Sequence, residues 1–304
     1  MNFADIRKNN NPIEEIYDYD FSKIPVVIFA GGKGRRMKTI YPLSKEWFLI
    51  FSQNHELKLE PLFWSNFEIL LELGFKEFYF IVTKKGEEAK EYFEEEFKGK
   101  NANVQLLNKE NFSRKIKAEG INIYIFEQKT EGTGNALVEI KEAIDKRPFL
   151  ELFGDEYFGG EKESVKKELI DFINFAIKKI KQNNALKVEA FVKKERAISN
   201  VNDEERKYCL KKDGQLGTIE NSNLVVTSLS LSSFEIIDIF EKKGIKDFNT
   251  FEIQQELIKT GKVYGKIVDL IFANINTKED YIALLVYITN TIIQNKNNKL
   301  LKLR

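Results

Sequence analysis

Residues 24–37, reading IPVVIFAGGKGRRM, restrict the fold more than any other stretch of the chain. Ile24 to Ala30 is a short, continuous apolar run rich in β-branched residues, the pattern of a parallel strand covered on both faces. It stops at Gly31-Gly32, which places a turn at the carboxyl end of the strand, where ligands gather in an α/β sheet. Glycines at 31, 32 and 34 let backbone N–H groups turn inward on phosphate, and Arg35 and Arg36 add fixed charge. The segment reads as a polyphosphate cradle; a glycine turn with solvated basic side chains would have the same sequence. It is not a P-loop, which needs a Gly-Lys-Ser/Thr ending, nor a dinucleotide fingerprint, which needs glycine where Met37 stands.

The remaining pattern alternates strands with helices. Apolar positions at helical spacing (Phe63, Phe67, Leu70, Leu71) end at Gly74 and lead into a buried strand at Phe78–Val82. Glu87–Phe97 reads as a charged surface helix. Ile121–Phe126 reads as a strand, followed by a glycine-rich turn and one helix with Ala136, Leu137, Ile140, Ala143 and Ile144 on a single face. Pro148–Phe153 is the next strand. Beyond Gly160 come an amphipathic helix (Val165–Ile180) and strands near Val188–Val192 and Leu224–Leu231 that should extend the same sheet. Residues 251–304 read as mostly helical, with strands near Val263–Ile267 and Leu270–Ile275. This alternation predicts a three-layer α/β/α domain on a mainly parallel mixed sheet. Lys193–Arg206 reads as the most mobile loop.

Composition narrows the chemistry. Lys and Arg number 48 against 47 Asp and Glu, so no overall field draws the chain to nucleic acid or to a membrane. Lysines alternate with glutamates on the expected helices, as on solvated faces. One cysteine, Cys209, and one histidine, His55, leave no raw material for an internal disulfide, structural zinc or Cys/His catalysis. The polar, acidic first residues lack the apolar run of a secretory signal, and the apolar tail Tyr281–Ile293 is too short to span a bilayer. A cytoplasmic location is expected.

The order of motifs resembles the sugar-nucleotide pyrophosphorylases, which include the glucose-1-phosphate thymidylyl- and uridylyltransferases and the mannose-1-phosphate guanylyltransferases. Their Gly-Gly-x-Gly-Thr-Arg-Leu/Met loop and later Ser-Lys pair are matched by Gly31-Gly32-Lys33-Gly34-Arg35-Arg36-Met37 and Ser44-Lys45, with Arg35 replacing threonine. Glu60-Pro61-Leu62, Glu127–Leu137 and the strand ending Phe153-Gly154-Asp155 continue the likeness. It runs from about Ile24 to Tyr281, strong up to Asp155 and patchy afterward.

The resemblance implies a Rossmann-like (GT-A-like) nucleotidyltransferase fold that joins an NTP to a sugar 1-phosphate, using Mg²⁺ and releasing pyrophosphate. It implies catalytic roles for Arg36, Lys45 and Asp155, and nucleotide contacts from Ala30, Gly31, Gly32, Gly34, Arg35, Gln128, Gly132 and Thr133. Gly154, Glu220 and Asn221 would meet the acceptor, with Asn221 where the sugar-phosphate lysine is expected. Asp155 and Asn274 would meet the metal, and Asn274 stands where a second metal-binding aspartate is usual. The expected organisation is a polar arm (1–22) and one domain (23–304), comprising a nucleotide half (23–160), an acceptor half (161–281) and a C-terminal helix (282–304). The departures at Asn221 and Asn274 keep two further readings open: a non-sugar acceptor such as phosphocholine or a cofactor phosphate, or a nucleotide-binding regulatory subunit without turnover. Self-association into a homo-oligomer is also open.

Overall fold

The computed structural model describes residues 19–31, 47–51, 59–83, 85–107, 118–199, 207–219, 222–244 and 251–302. Its centre is an eight-stranded sheet whose strands come from both halves of the chain. In chain order these are β1 (Val26–Phe29), β4 (Glu77–Val82), β5 (Ala102–Leu107), β6 (Ile121–Glu127), β7 (Phe149–Phe153), β9 (Lys187–Lys193), β12 (Leu224–Ser232) and β13 (Val263–Ile267). Their spatial order is β13-β9-β12-β7-β1-β4-β6-β5. Only β12 in this sheet runs antiparallel to its neighbours, β7 and β9.

Every residue of β1 and β4 is buried, because helices cover both faces. Val26 and Ile28 of β1 face one layer, packing with Phe63, Trp64 and Phe67 of α1 (Leu62–Glu72), Phe93 of α2 (Gly86–Glu96) and the buried stripe of α5 (Lys162–Asn183). That stripe, Val165, Leu169, Ile170, Phe172, Ile173 and Ala176, keeps helical spacing, and each fully buried large apolar member contributes about 1.5–3 kcal/mol. The helix starts where the Glu161 carboxylate accepts from the Ser164 N–H and stops at Asn184, whose φ of 50° is left-handed. Val27 and Phe29 face the opposite layer, built from α3 (Thr133–Glu139), α4 (Lys141–Ile144), α6 (Glu235–Lys243) and α7 (Phe251–Lys259).

A third, smaller cluster lies at the carboxyl edge of the sheet. Here the hairpin β2 (Leu49–Phe51) and β3 (Leu59–Pro61), the pair β8 (Glu156–Gly159) and β14 (Ile271–Asn274), and α8 (Lys278–Lys302) surround Tyr157, Ala273, Leu284 and Ile288. A further hairpin pairs β10 (Tyr208–Leu210) with β11 (Leu216–Thr218).

The helix expected across Ala136–Ile144 is two helices. It breaks at Ile140, whose ψ of 7° leaves the helical range, and ends at Asp145 in the left-handed region. The expected loop at Lys193–Arg206 begins with a helical turn at Lys194–Arg196 and a bridge from Ala197 to Phe272; residues 200–206 lie outside the described residues.

Candidate active site

The chain passes from β1 outward through β4, β5 and β6, then returns to pair β7 with the other side of β1. This reversal is the topological switch point, and it opens a crevice at the carboxyl ends of β1, β4, β6 and β7. Four loops leave the sheet there.

After β1, the Ala30 N–H donates to the Ile81 carbonyl at 2.8 Å, and the Gly31 carbonyl accepts from the Thr83 hydroxyl. A β-carbon on Gly31 would lie 2.7 Å from Thr83 Oγ1 and 3.0 Å from Thr83 N, so only glycine fits where the ends of β1 and β4 lie side by side. The loop that continues from it carries Gly32, Gly34, Arg35, Arg36 and Lys45, all outside the described residues, as are Glu220 and Asn221.

After β6, the Gln128 N–H donates to the Val82 carbonyl at 2.8 Å, and the Gln128 side-chain amide donates to the Gly132 carbonyl at 2.7 Å. Gly132, at φ 99°, starts α3, with Thr133 as the first helical residue. The loop is held from inside by Glu139, a buried carboxylate at the far end of α3. It accepts from Lys129 N (3.2 Å), Thr130 N (3.1 Å) and the Thr130 hydroxyl. The side-chain nitrogen of Gln128 is thus tied into its own loop.

After β7, the Gly154 N–H donates to the Phe29 carbonyl at 2.9 Å, which sets the turn carrying Asp155 directly beside the end of β1. A bulge in β12 between Val226 and Ser230 puts Ser228 against this turn. Ser228 Oγ accepts from Phe153 N (2.7 Å) and donates to the Glu156 carboxylate (2.6 Å), which also accepts from Ser228 N at 2.9 Å. Asp155 is 6% exposed, and its carbonyl accepts from Ile275 N at 3.0 Å. Asn274 pairs with Glu156 across the β8–β14 ladder, one residue from Asp155. Its N–H is bound to the Ser199 hydroxyl at 2.9 Å, while its side-chain oxygen Oδ1 is buried with no hydrogen-bond partner among the described residues.

Among the described residues, then, Ala30, Gly31, Gly154, Asp155 and Asn274 come together. Gln128, Gly132 and Thr133 lie two strands further along the same edge, roughly 10 Å away at ordinary strand spacing. Asp155 and Asn274 sit on adjoining segments, and carboxylate and amide oxygens are hard donors of the kind that suits Mg²⁺ when phosphates and water complete its shell. No group of three or more His, Cys, Asp or Glu side chains able to hold a metal occurs among the described residues. A cavity of about 1410 Å³ lies at the opposite, amino end of the strands. Its buried Glu77 carboxylate is already satisfied by a bidentate ion pair with half-buried Arg147 at 2.7 and 2.9 Å.

No family sequence model and no curated protein matches the chain. Solved structures do. An apo UDP-glucose pyrophosphorylase superposes with a TM-score of 0.60 at 17% identity, covering 90% of this chain and 99% of that one. A UDP-glucose pyrophosphorylase complexed with UDP-glucose gives 0.58 at 16% identity, covering 88% and 99%. A Bacillus anthracis protein assigned as a glucose-1-phosphate thymidylyltransferase, in complex with a sucrose, gives 0.57 at 15%, covering 87% and 95%. The chain has the sugar nucleotidyltransferase fold.

Four residues that sequence reading passed over serve the crevice of this nucleotidyltransferase fold: Thr83, Glu139, Glu156 and Ser228. Glu139 was visible as a charge on the face that otherwise carries Ala136, Leu137 and Ile140. Ser228 was visible as a polar residue inside a strand-like run. Glu156 directly follows Gly154-Asp155, where the aspartate drew the attention. Thr83 has no sequence signal, because its role depends on two strand ends lying side by side.

Proposed function

We propose that the chain is a Mg²⁺-dependent nucleotidyltransferase that moves a nucleoside monophosphate from an NTP to a sugar 1-phosphate and releases pyrophosphate. The observation that carries this reading is the buried Asp155 with the unspent Asn274 oxygen, placed beside Gly31 at the switch point of a fold shared with UDP-glucose pyrophosphorylases.

In this reading the acceptor phosphate attacks the α-phosphorus in line with departing pyrophosphate. Its second pKa is about 6, so near neutrality it is largely a dianion and needs no protein base. A site without histidine or cysteine is adequate for such a step. The protein's task is to hold two anions that repel one another and to offset charge on the leaving group. Mg²⁺, when bound, neutralises phosphate charge and orients phosphate oxygens, and Asp155 and Asn274 are the residues that would hold it. Arg36 supplies a rigid fork and Lys45 a compact charge to the triphosphate. Ala30, Gly31, Gly32, Gly34 and Arg35 shape the cradle, and Gln128, Gly132 and Thr133 receive the base. Gly154, Glu220 and Asn221 face the acceptor.

The test is pyrophosphate release from a matrix of NTPs and sugar 1-phosphates with Mg²⁺. Turnover of at least one pair, abolished by Asp155→Asn without loss of fold, is the expected result. Asn221, standing where a sugar-phosphate lysine is usual, favours a second reading in which the acceptor is another phosphorylated compound such as phosphocholine or a cofactor phosphate. Adding those acceptors to the matrix separates the two. Binding of NTP with no pyrophosphate from any acceptor would instead make the chain a regulatory subunit. No helix among the described residues is long and apolar enough to cross a membrane, and a cytoplasmic location belongs to the same proposal.

A further inference from the structure

Every buried position of α1 is apolar except one, Asn66. Asparagine is a poor helix former, because its side chain competes for backbone groups. An amide set in an aromatic layer also costs free energy unless its ends are bonded. Asn66 is nevertheless 4% exposed, in the middle of the helix.

What it holds is β8. Its Nδ2 donates to the Glu156 carbonyl at 2.8 Å, and its Oδ1 accepts from the Phe158 N–H at 3.2 Å. Along a strand the backbone groups of Glu156 and Phe158 point to one edge, and those of Asp155, Tyr157 and Gly159 to the other. β14 takes the second edge, where the Asp155 carbonyl accepts from Ile275 N. It is the only strand paired with β8 among the described residues. The first edge is closed by the single amide of Asn66, which makes the two bonds that a residue of a neighbouring strand would make. Glu156 and Phe158 are buried, so a carbonyl and an N–H stripped of that amide would go unsatisfied.

The segment gripped in this way is the one that leaves Asp155. Before Asp155, the Gly154 N–H is fixed to β1; after it, Asn66 fixes the chain to α1. The same helix takes hold of the chain three residues after Lys45, where the Leu62 N–H donates to the Phe48 carbonyl at 2.8 Å. Asn66 stands one turn further along, about 6 Å at 1.5 Å per residue.

We propose that Asn66 is a positioning residue for Asp155: by closing the free edge of β8 it keeps the Asp155 turn in place beside the end of β1. The inference rests on the function proposed above, in which Asp155 holds the metal. Asn66 supplies geometry and neither charge nor a proton, and a misplacement of about 1 Å at a reacting centre can cost about a hundredfold in rate.

Two variants and a control test this, with far-UV circular dichroism confirming the fold. Asn66→Ala removes both bonds, whereas Asn66→Asp keeps the volume and the acceptor but, ionised, offers the Glu156 carbonyl no donor. Each should lower kcat about tenfold or more and raise the Mg²⁺ concentration for half-maximal activity about fivefold. KM for NTP should stay within about threefold, because Glu139 and not β8 holds the loop after β6. Phe67→Ala removes more packing at the next residue of the same helix, yet should leave kcat and the Mg²⁺ requirement within about twofold while folded. Hydrogen exchange resolved to single amides reads the turn without turnover. The Phe158 and Ile275 N–H groups should be protected in the parent and exchange about tenfold faster in Asn66→Ala. The proposal is overturned by unprotected amides in the parent, by unchanged Ile275 exchange in the variant, by parental kcat and Mg²⁺ requirement in both variants, or by equal shifts from Phe67→Ala. A parent that releases no pyrophosphate from any substrate pair would instead sink the functional reading, and the exchange of Ile275 would still decide whether Asn66 holds the turn.

Discussion

Glu139 does for the loop after β6 what a cap does for a helix end, since one buried carboxylate satisfies two backbone N–H groups and a hydroxyl. Glu139→Ala strips the Lys129 and Thr130 N–H groups of their acceptor, a loss of about 1–3 kcal/mol. It should raise KM for NTP roughly tenfold while changing kcat less, because the loop is expected to touch the base and not the reacting phosphorus; steady-state kinetics with varied NTP separate the two. If the turn carrying Asp155 holds Mg²⁺ as proposed, Asn274→Asp adds a second charge close to it and should lower the Mg²⁺ concentration for half-maximal activity about tenfold, read by titration. Arg36→Lys should lose most activity, because a point charge does not reproduce a fork; turnover within a few-fold of the parent would remove Arg36 from the role. Legibility differs sharply between these residues. Asp155 and Gln128 stand at strand ends marked by glycines, so local sequence located them. Glu139, Thr83 and Ser228 act through contacts that only the folded sheet creates.

The same divide holds for elements. β1, β4, β6 and β7 are largely buried, so their sequences are dominated by apolar residues, and α5 repeats its stripe over 22 residues. Those were readable. β5 was not: it lies at the sheet edge, mostly half-buried, and carries Asn103 and Gln105 among its apolar residues. β8 has only four residues, and its pairing with β14 spans more than a hundred positions, so no local period announces it. An aromatic layer lies under α1. Phe67 is fully buried, with ring centroids 4.7 Å from Phe78 and 5.4 Å from Phe80. Phe67→Ala should cost about 3–5 kcal/mol in urea unfolding.

At the scale of the molecule, one sheet joins the two halves, and its middle holds charge that composition could not reveal. Glu151, Lys187 and Glu189 are buried on β7 and β9, where Ser232 donates to Glu151 and Lys187 lies 3.1 Å from Glu189. Burial pushes the Glu151 carboxyl above its ordinary 4.5, with Lys187 opposing. A raised folded-state pKa means that the fold favours the protonated form. Its stabilising contribution is complete below about pH 4.5 and is lost as pH rises through the folded value. Glu151→Gln should therefore gain thermal stability over the parent at pH 8 and lose that advantage at pH 4, as calorimetry at both values would record. The contact between Gly31 and Thr83 has a different kind of consequence. A β-carbon at Gly31 would press on both the hydroxyl and the backbone of Thr83, so Gly31→Ala should push the ends of β1 and β4 apart and displace every group that those two strand ends carry.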